Sequence, residues 1–268
     1  MDRLSHAGEL AINLFDNAVF PGGLNTGNAW LGIYQVLLWY ESLQRYGISD
    51  LPHIIDADKL KPGRQGSNDG IWQRRAQAVA QYLAKNLSCE VDQVSGFVDR
   101  LMKDPSYKGM QRQNPLGNAF PILIFHALEL LGNKNIQYER EVSAQTIFPG
   151  VVVPGRSDNV KIDIVARSSG RVRAILSCKW SLRHDRLNDI SNECPTYKAA
   201  ASWTRSTIDY IVMTNEFDPA RLNKLLEDSC VDAVVHVHKP LLTSVCSLNS
   251  RIGEMLDLTE LVERSQKW

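Results

Sequence analysis

The sequence predicts an α/β protein in which a mixed central sheet is flanked by helices, with a helical region ahead of it. Three observations predict this. Through roughly the first half of the chain the apolar residues recur at helical spacing without strand-like alternation. From Ile136 onward, short alternating or β-rich runs are interleaved with amphipathic ones, the pattern of a sheet covered on both faces. The chain's 268 residues, 44% hydrophobic and 22% charged, describe an ordinary globular protein long enough to bury a proper core. The expected division is a helical N-terminal region over residues 1–110 and an α/β region over 111–268.

Taken in order, Trp30, Ile33, Val36 to Leu38 and Leu43 line one face of a helix that stops at Gly47. "PGRQGSNDG" (62–70) concentrates turn residues and is a loop. "IWQRRAQAVAQYLAKNL" reads as a second helix and "CEVDQVSGFVDRLMKD" as a third. Pro115 stands where a first-turn proline belongs in a fourth, "NPLGNAFPILIFHALELLG", which Gly132 closes. "IQYEREVSAQ" and "NVKIDIVAR" alternate, "SSGR" is a turn, and "VRAILSCKW" is β-rich, so residues 159–180 form a hairpin. A helix is expected over residues 192–204, followed by a buried strand "IDYIVMT", a helix "PARLNKLLED" and a strand "VDAVVHVHK".

The formal net charge is zero, which excludes a uniformly basic surface; a nucleic-acid partner would need a local basic patch. Five cysteines form no CxxC pair and are odd in number, the usage of a reducing compartment with free, packed thiols. The N-terminal stretch carries acids within its apolar run, and Gln35 and Glu41 interrupt the most apolar helix, so no signal peptide or membrane partner is expected. The expected location is the cytoplasm.

The hairpin carries the chemistry. A turn at Ser169 and Gly170 sets Asp163 opposite Ser177, and alternation along the strand puts Ser177 and Lys179 on one side of the sheet, with Leu176 and Cys178 on the other. Asp163, Ser177 and Lys179 can therefore converge. A carboxylate able to hold Mg²⁺ beside an ammonium able to orient a water suits phosphodiester hydrolysis. One carboxylate is thin for a hard cation; Glu193, fourteen residues beyond Lys179 at the expected start of a helix, can supply the second.

The order Ser177, Lys179, Arg183, Asp185, Arg186 and Glu193 in "SCKWSLRHDRLNDISNE" resembles the signature of the CCGG-recognising type II restriction endonucleases, the NgoMIV, AgeI and BsaWI group of the PD-(D/E)xK superfamily. The likeness covers about seventeen residues closely, the hairpin from Asp158 less so, and the N-terminal half thinly. It implies a restriction-endonuclease-like fold and Mg²⁺-dependent cleavage of double-stranded DNA at a palindrome with a CCGG core, leaving a 5′-phosphate and four-nucleotide 5′ overhangs. Asp163 and Glu193 would hold the metal, Lys179 would position the water, and Ser177 would line the site. Arg183, Asp185 and Arg186 would read bases: an arginine fork matches O6 and N7 of guanine, and a carboxylate accepts from N4 of cytosine. A palindrome implies a homodimer, for which residues 1–110 could serve as dimerisation region or DNA clamp, and a restriction system implies a cognate DNA methyltransferase.

Several assignments stay open at this level. Asp158 in "PGRSD" competes with Asp163 for the metal, and a CCNGG site competes with CCGG. Where family members bring a further acid in a G-x-x-F-E context, "GNAFP" has Pro121. Arg112 and Gln113, ahead of the fourth helix, are candidates for phosphates or flanking bases, and Arg156 is a similar case. His236 and His238 share a strand face, but with no matching pair elsewhere they read as structural rather than zinc ligands.

Overall fold

The computed structural model describes residues 6–44, 81–90, 93, 115–157, 159–203, 205–245 and 251–268. Two compact units are present, one of residues 1–123 with 240–247 and the other of 124–239 with 248–268.

In the first unit, α1 (His6–Asp16) is followed by α2 (Ala29–Gln44), the helix expected from its apolar spacing. Gly32 lets them approach, because a Cβ there would lie 2.6 Å from both the Phe15 and Phe20 rings. Residues 81–87 are helical, within the second expected helix; the loop at 62–70 and the third helix beyond Gln93 lie outside the described residues.

The helix announced by Pro115 is α3 (Pro115–Leu131). The second unit is built on a five-stranded mixed sheet in the order β1-β2-β3-β4-β5. β1 (Gln137–Ser143), β2 (Lys161–Ser168) and β3 (Arg171–Lys179) are antiparallel, and α4 (Ala144–Ile147) follows β1. β4 (Asp209–Thr214) and β5 (Ala233–His236) run parallel to β3. The β2–β3 connection is a two-residue turn with Ser169 and Gly170 both at positive φ (49° and 76°), the geometry that matches the twist of a tight hairpin. Ile164 pairs with Leu176 and Val165 with Ile175, which puts Asp163 in register with Ser177 as the turn position predicts.

Parallel strands need crossovers, and α5 (His184–Trp203) and α6 (Pro219–Leu226) supply them; α7 (Lys239–Val245) and α8 (Leu258–Ser265) follow β5. The α5 range corrects the expected start near residue 192. Leu187, Ile190, Cys194, Tyr197 and Ala201 recur at helical spacing and are all buried, so packing against the sheet extends the helix through a polar, low-propensity stretch. Glu193 is therefore a mid-helix residue, not a first-turn one.

The expectation of free thiols is corrected at two positions: Cys194 of α5 and Cys230, ahead of β5, form a disulfide across 36 residues of sequence. Spacing could not reveal this, because only the crossover brings the two segments side by side. Lys198 reinforces the junction, donating to the Cys230 carbonyl at 2.6 Å and to Asp232 at 2.8 Å. Among the described residues Cys89 and Cys178 remain thiols. Peptide mapping without reductant should recover a cross-linked 194–230 pair, and Cys230→Ser should lower unfolding free energy by up to about 4 kcal/mol in urea titration, the loop-closure value for such a span.

Candidate active site

The C-terminal ends of β3, β4 and β5 lie along one edge of the sheet, where open α/β sheets place their ligands. β2 starts at that same edge, so its Asp163 stands beside the end of β3. The two strands are no longer paired there, and the Asp163 carboxylate takes the place of the ladder: Oδ2 accepts the Cys178 backbone N–H at 2.7 Å and the Lys179 ammonium at 2.9 Å. Lys179 is largely buried. Burial alone would lower its pKa, but the Asp163 and Glu193 carboxylates outweigh that and hold it above the ordinary 10.5. It is a fixed positive charge at neutral pH, suited to orienting a water or a phosphate rather than to removing a proton.

Glu193 reaches this face from α5. Its Oε2 accepts from the Tyr210 hydroxyl at 3.2 Å, and its Oε1 lies 3.4 Å from the Arg156 guanidinium. Burial pushes its pKa up; Lys179 and Arg156 pull it down without cancelling the shift, and Asp163 adds to the rise. Ser177 lies on the same face, its hydroxyl buried beside that of Tyr210. The Tyr197 hydroxyl is buried without a partner, its ring stacked on Phe148 and tilted against Tyr210.

Among the described residues no group of three or more His, Cys, Asp or Glu side chains could hold a metal ion. Two carboxylates whose charges act on each other, with a small buried hydroxyl on the same face, fit a small hard cation that keeps several waters and takes its remaining ligands from a phosphate. Asp163 and Glu193 are the residues that would hold it. Asp158, Arg112 and Gln113 lie outside the described residues.

The segment after β3 is solvent-facing. Arg183, Asp185 and Arg186 have side chains 51%, 60% and 36% exposed and pair among themselves, Arg183–Asp185 at 3.5 Å and Arg186–Asp185 at 3.8 Å. Exposed pairs of that length are worth about 1 kcal/mol or less, so an incoming partner can displace them. The backbone that carries them is fixed more firmly. Glu216, just past β4 and fully buried, accepts from Leu182 N–H at 2.9 Å, from the N–H groups of Phe217 and Asp218, and from Arg221 at 3.0 Å. Leu182 is itself buried one residue ahead of Arg183.

No family model and no curated protein matches the chain. Among solved structures it is similar to one described as metal-depleted Ecl18kI in complex with uncleaved, modified DNA. The TM-score is 0.45 and the identity 12%, over 98% of this chain and 78% of that one.

Four residues of this edge escaped the sequence reading in these roles: Tyr210, Asp189, Glu216 and, as a partner of Glu193, Arg156. Asp189 carried a signal, since it lies one helical turn before Glu193 and three residues after Arg186 once α5 starts at His184. Nothing local marks the tie from Glu216 to Leu182 or the sharing of Arg156, because those partners are distant in sequence.

His236 and His238, read as structural, are buried at the end of β5; His236 packs edge-on against Phe217, 5.0 Å between ring centroids, and accepts from the His238 N–H at 3.1 Å.

Two outcomes are expected. Glu216→Ala, which removes the acceptor shared by Arg221 and three backbone N–H groups, should cost about 3–5 kcal/mol in denaturant unfolding. Burial lowers the pKa of both His236 and His238 to about 3 from the ordinary 6.5. Between those values the unfolded chain takes up protons that the folded chain refuses, so their contribution is intact above 6.5 and is lost as the pH falls. Stability should drop by about 1.4 kcal/mol per pH unit for each histidine across that window, and His236→Asn should flatten the profile measured by thermal melts.

Proposed function

We propose that this chain is a Mg²⁺-dependent type II restriction endonuclease of PD-(D/E)xK fold that hydrolyses double-stranded DNA at a palindrome with a CCGG core. The observation that carries the reading is the convergence of Asp163, Lys179 and Glu193 on one sheet edge, with the exposed Arg183–Arg186 segment leaving that edge directly. A charge relationship of this kind, two carboxylates around a fixed ammonium, suits attack of water on a phosphodiester.

Each side chain has a part that its surroundings permit. Mg²⁺ held by Asp163 and Glu193 would supply Lewis-acid polarisation of the phosphate and a more acidic water. Lys179, protonated and anchored on Asp163, places a positive charge at the end of β3, the position for orienting the water and stabilising negative charge that builds on the phosphoryl oxygens. Ser177 keeps the wall beside it small and polar. Arg183 and Arg186 present forks to guanine O6 and N7, and Asp185 accepts from cytosine N4, once DNA displaces their mutual pairing. Because the segment begins four residues beyond Lys179, base reading and phosphate placement are mechanically linked. A palindrome then calls for two copies related by a two-fold axis, one active site per strand.

Purified protein should cut plasmid DNA into discrete fragments with Mg²⁺ and leave it intact with EDTA, and sequenced ends should carry a 5′-phosphate next to a CCGG core. A core with an unread central pair would move the assignment to a CCNGG site. Lys179→Ala should lose at least about a hundredfold in cleavage while retaining salt-dependent duplex binding, since it removes charge stabilisation and leaves the arginines. Intact plasmid under all conditions, with binding preserved, would make the protein a non-cleaving DNA binder.

A further inference from the structure

Between the reading segment and the catalytic carboxylate runs a continuous chain of charges. Arg156, in the loop ahead of β2, sends one guanidinium nitrogen to Asp189 Oδ2 at 2.9 Å and the other to Glu193 Oε1 at 3.4 Å. The same Asp189 oxygen lies 3.6 Å from the Arg186 guanidinium. Asp189, Glu193 and Arg186 all project from α5 within two turns, and Asp189 is mostly buried. Arg156 is thus shared between a carboxylate that also holds a base-reading arginine and a carboxylate assigned to the metal.

We infer that Arg156 acts as a positioning residue that occupies Glu193 while the reading segment is unengaged, and that Asp189 withdraws it when Arg186 moves to a base. The inference rests on the nuclease reading and deepens it. The distances give the direction. Arg156 is held mainly by Asp189, and its contact with Glu193 is the longer of the two, so it is the one yielded first. With Arg186 gone, the Asp189 carboxylate has a single guanidinium left and can accept both of its nitrogens in the parallel fork geometry, the strongest arrangement open to the pair. That rotation draws the second nitrogen off Glu193. Glu193 then has an oxygen free of cationic competition, while Tyr210 keeps the other in place. Reading the correct bases thereby raises the affinity of the acidic site for a divalent cation, and by reciprocity the cation favours the engaged reading segment. A wrong sequence, which does not hold Arg186, leaves Arg156 on Glu193.

The test needs neither DNA nor turnover. Mn²⁺ binding to the free protein is titrated by the electron paramagnetic resonance signal of unbound Mn²⁺. Arg156→Gln should bind Mn²⁺ about tenfold more tightly than the unsubstituted protein, within the ordinary range for coupled sites, and Arg156→Lys, which keeps the charge, should stay near the original affinity. Arg186→Ala, imitating departure of Arg186, should tighten binding about threefold, and this gain should vanish in an Asp189→Asn background. A plain long-range charge effect would survive that background and would overturn the relay. Equal Mn²⁺ affinity for Arg156→Gln and the unsubstituted protein, with Glu193→Gln still weakening binding, would overturn the inference and leave the nuclease reading standing. Mn²⁺ binding that is indifferent to Glu193→Gln would remove both.

Discussion

The carboxylate of Asp163 closes the hairpin where its strands part, and the candidate site is assembled around that closure. A backbone N–H at the end of β3 would otherwise lack its ladder partner, and the Lys179 ammonium would be a largely buried charge with less compensation; one oxygen answers both. Holding Cys178 and Lys179 against β2 fixes the last turn of the pleat, so Lys179 points to the same face as Ser177. The parallel pairing Lys179 with Thr214 aligns the end of β4 beside it. From that corner the chain leaves through Leu182 into α5, which returns over the same face carrying Glu193.

Two buried glutamates divide the work at this edge according to how they are satisfied. Glu216 is surrounded by donors fixed by the fold: three backbone N–H groups and an arginine in the first turn of α6. A carboxylate so saturated is a structural tie, and what it ties is the backbone just ahead of the exposed Arg183–Arg186 segment. Glu193 has a tyrosine hydroxyl and the far side of a guanidinium that is better bound elsewhere. Its ionised form is under-compensated, which is the condition for accepting a cation in exchange. The same side chain, buried in both places, is saturated with donors in one and under-compensated in the other.

The exposed segment follows the opposite logic. Its arginines and aspartate are held by weak mutual pairs on a firmly anchored backbone, so that displacing those pairs costs little interaction energy while their origin stays in place. Zero net charge over the whole chain is compatible with this, because the basic residues of this segment are few and concentrated beside the candidate site.

Much of this was legible in the linear chain, because strands and tight turns are local. Alternation in "NVKIDIVAR", the turn at Ser169 and Gly170 and the β-rich run to Lys179 determined the hairpin, its register and the sharing of a face by Asp163, Ser177 and Lys179. Pro115, Gly132 and the apolar runs at 208–214 and 231–239 determined the order of elements around the sheet. The α5 start was misplaced because helix propensity is weak through "HDRLNDISN" and burial against the sheet, not propensity, makes it helical. Only the tertiary structure decided the Cys194–Cys230 bond, the Glu216 anchor and the sharing of Arg156 between Asp189 and Glu193. Each joins segments separated by more than thirty residues, and such contacts depend on where crossovers return the chain, which no local spacing records.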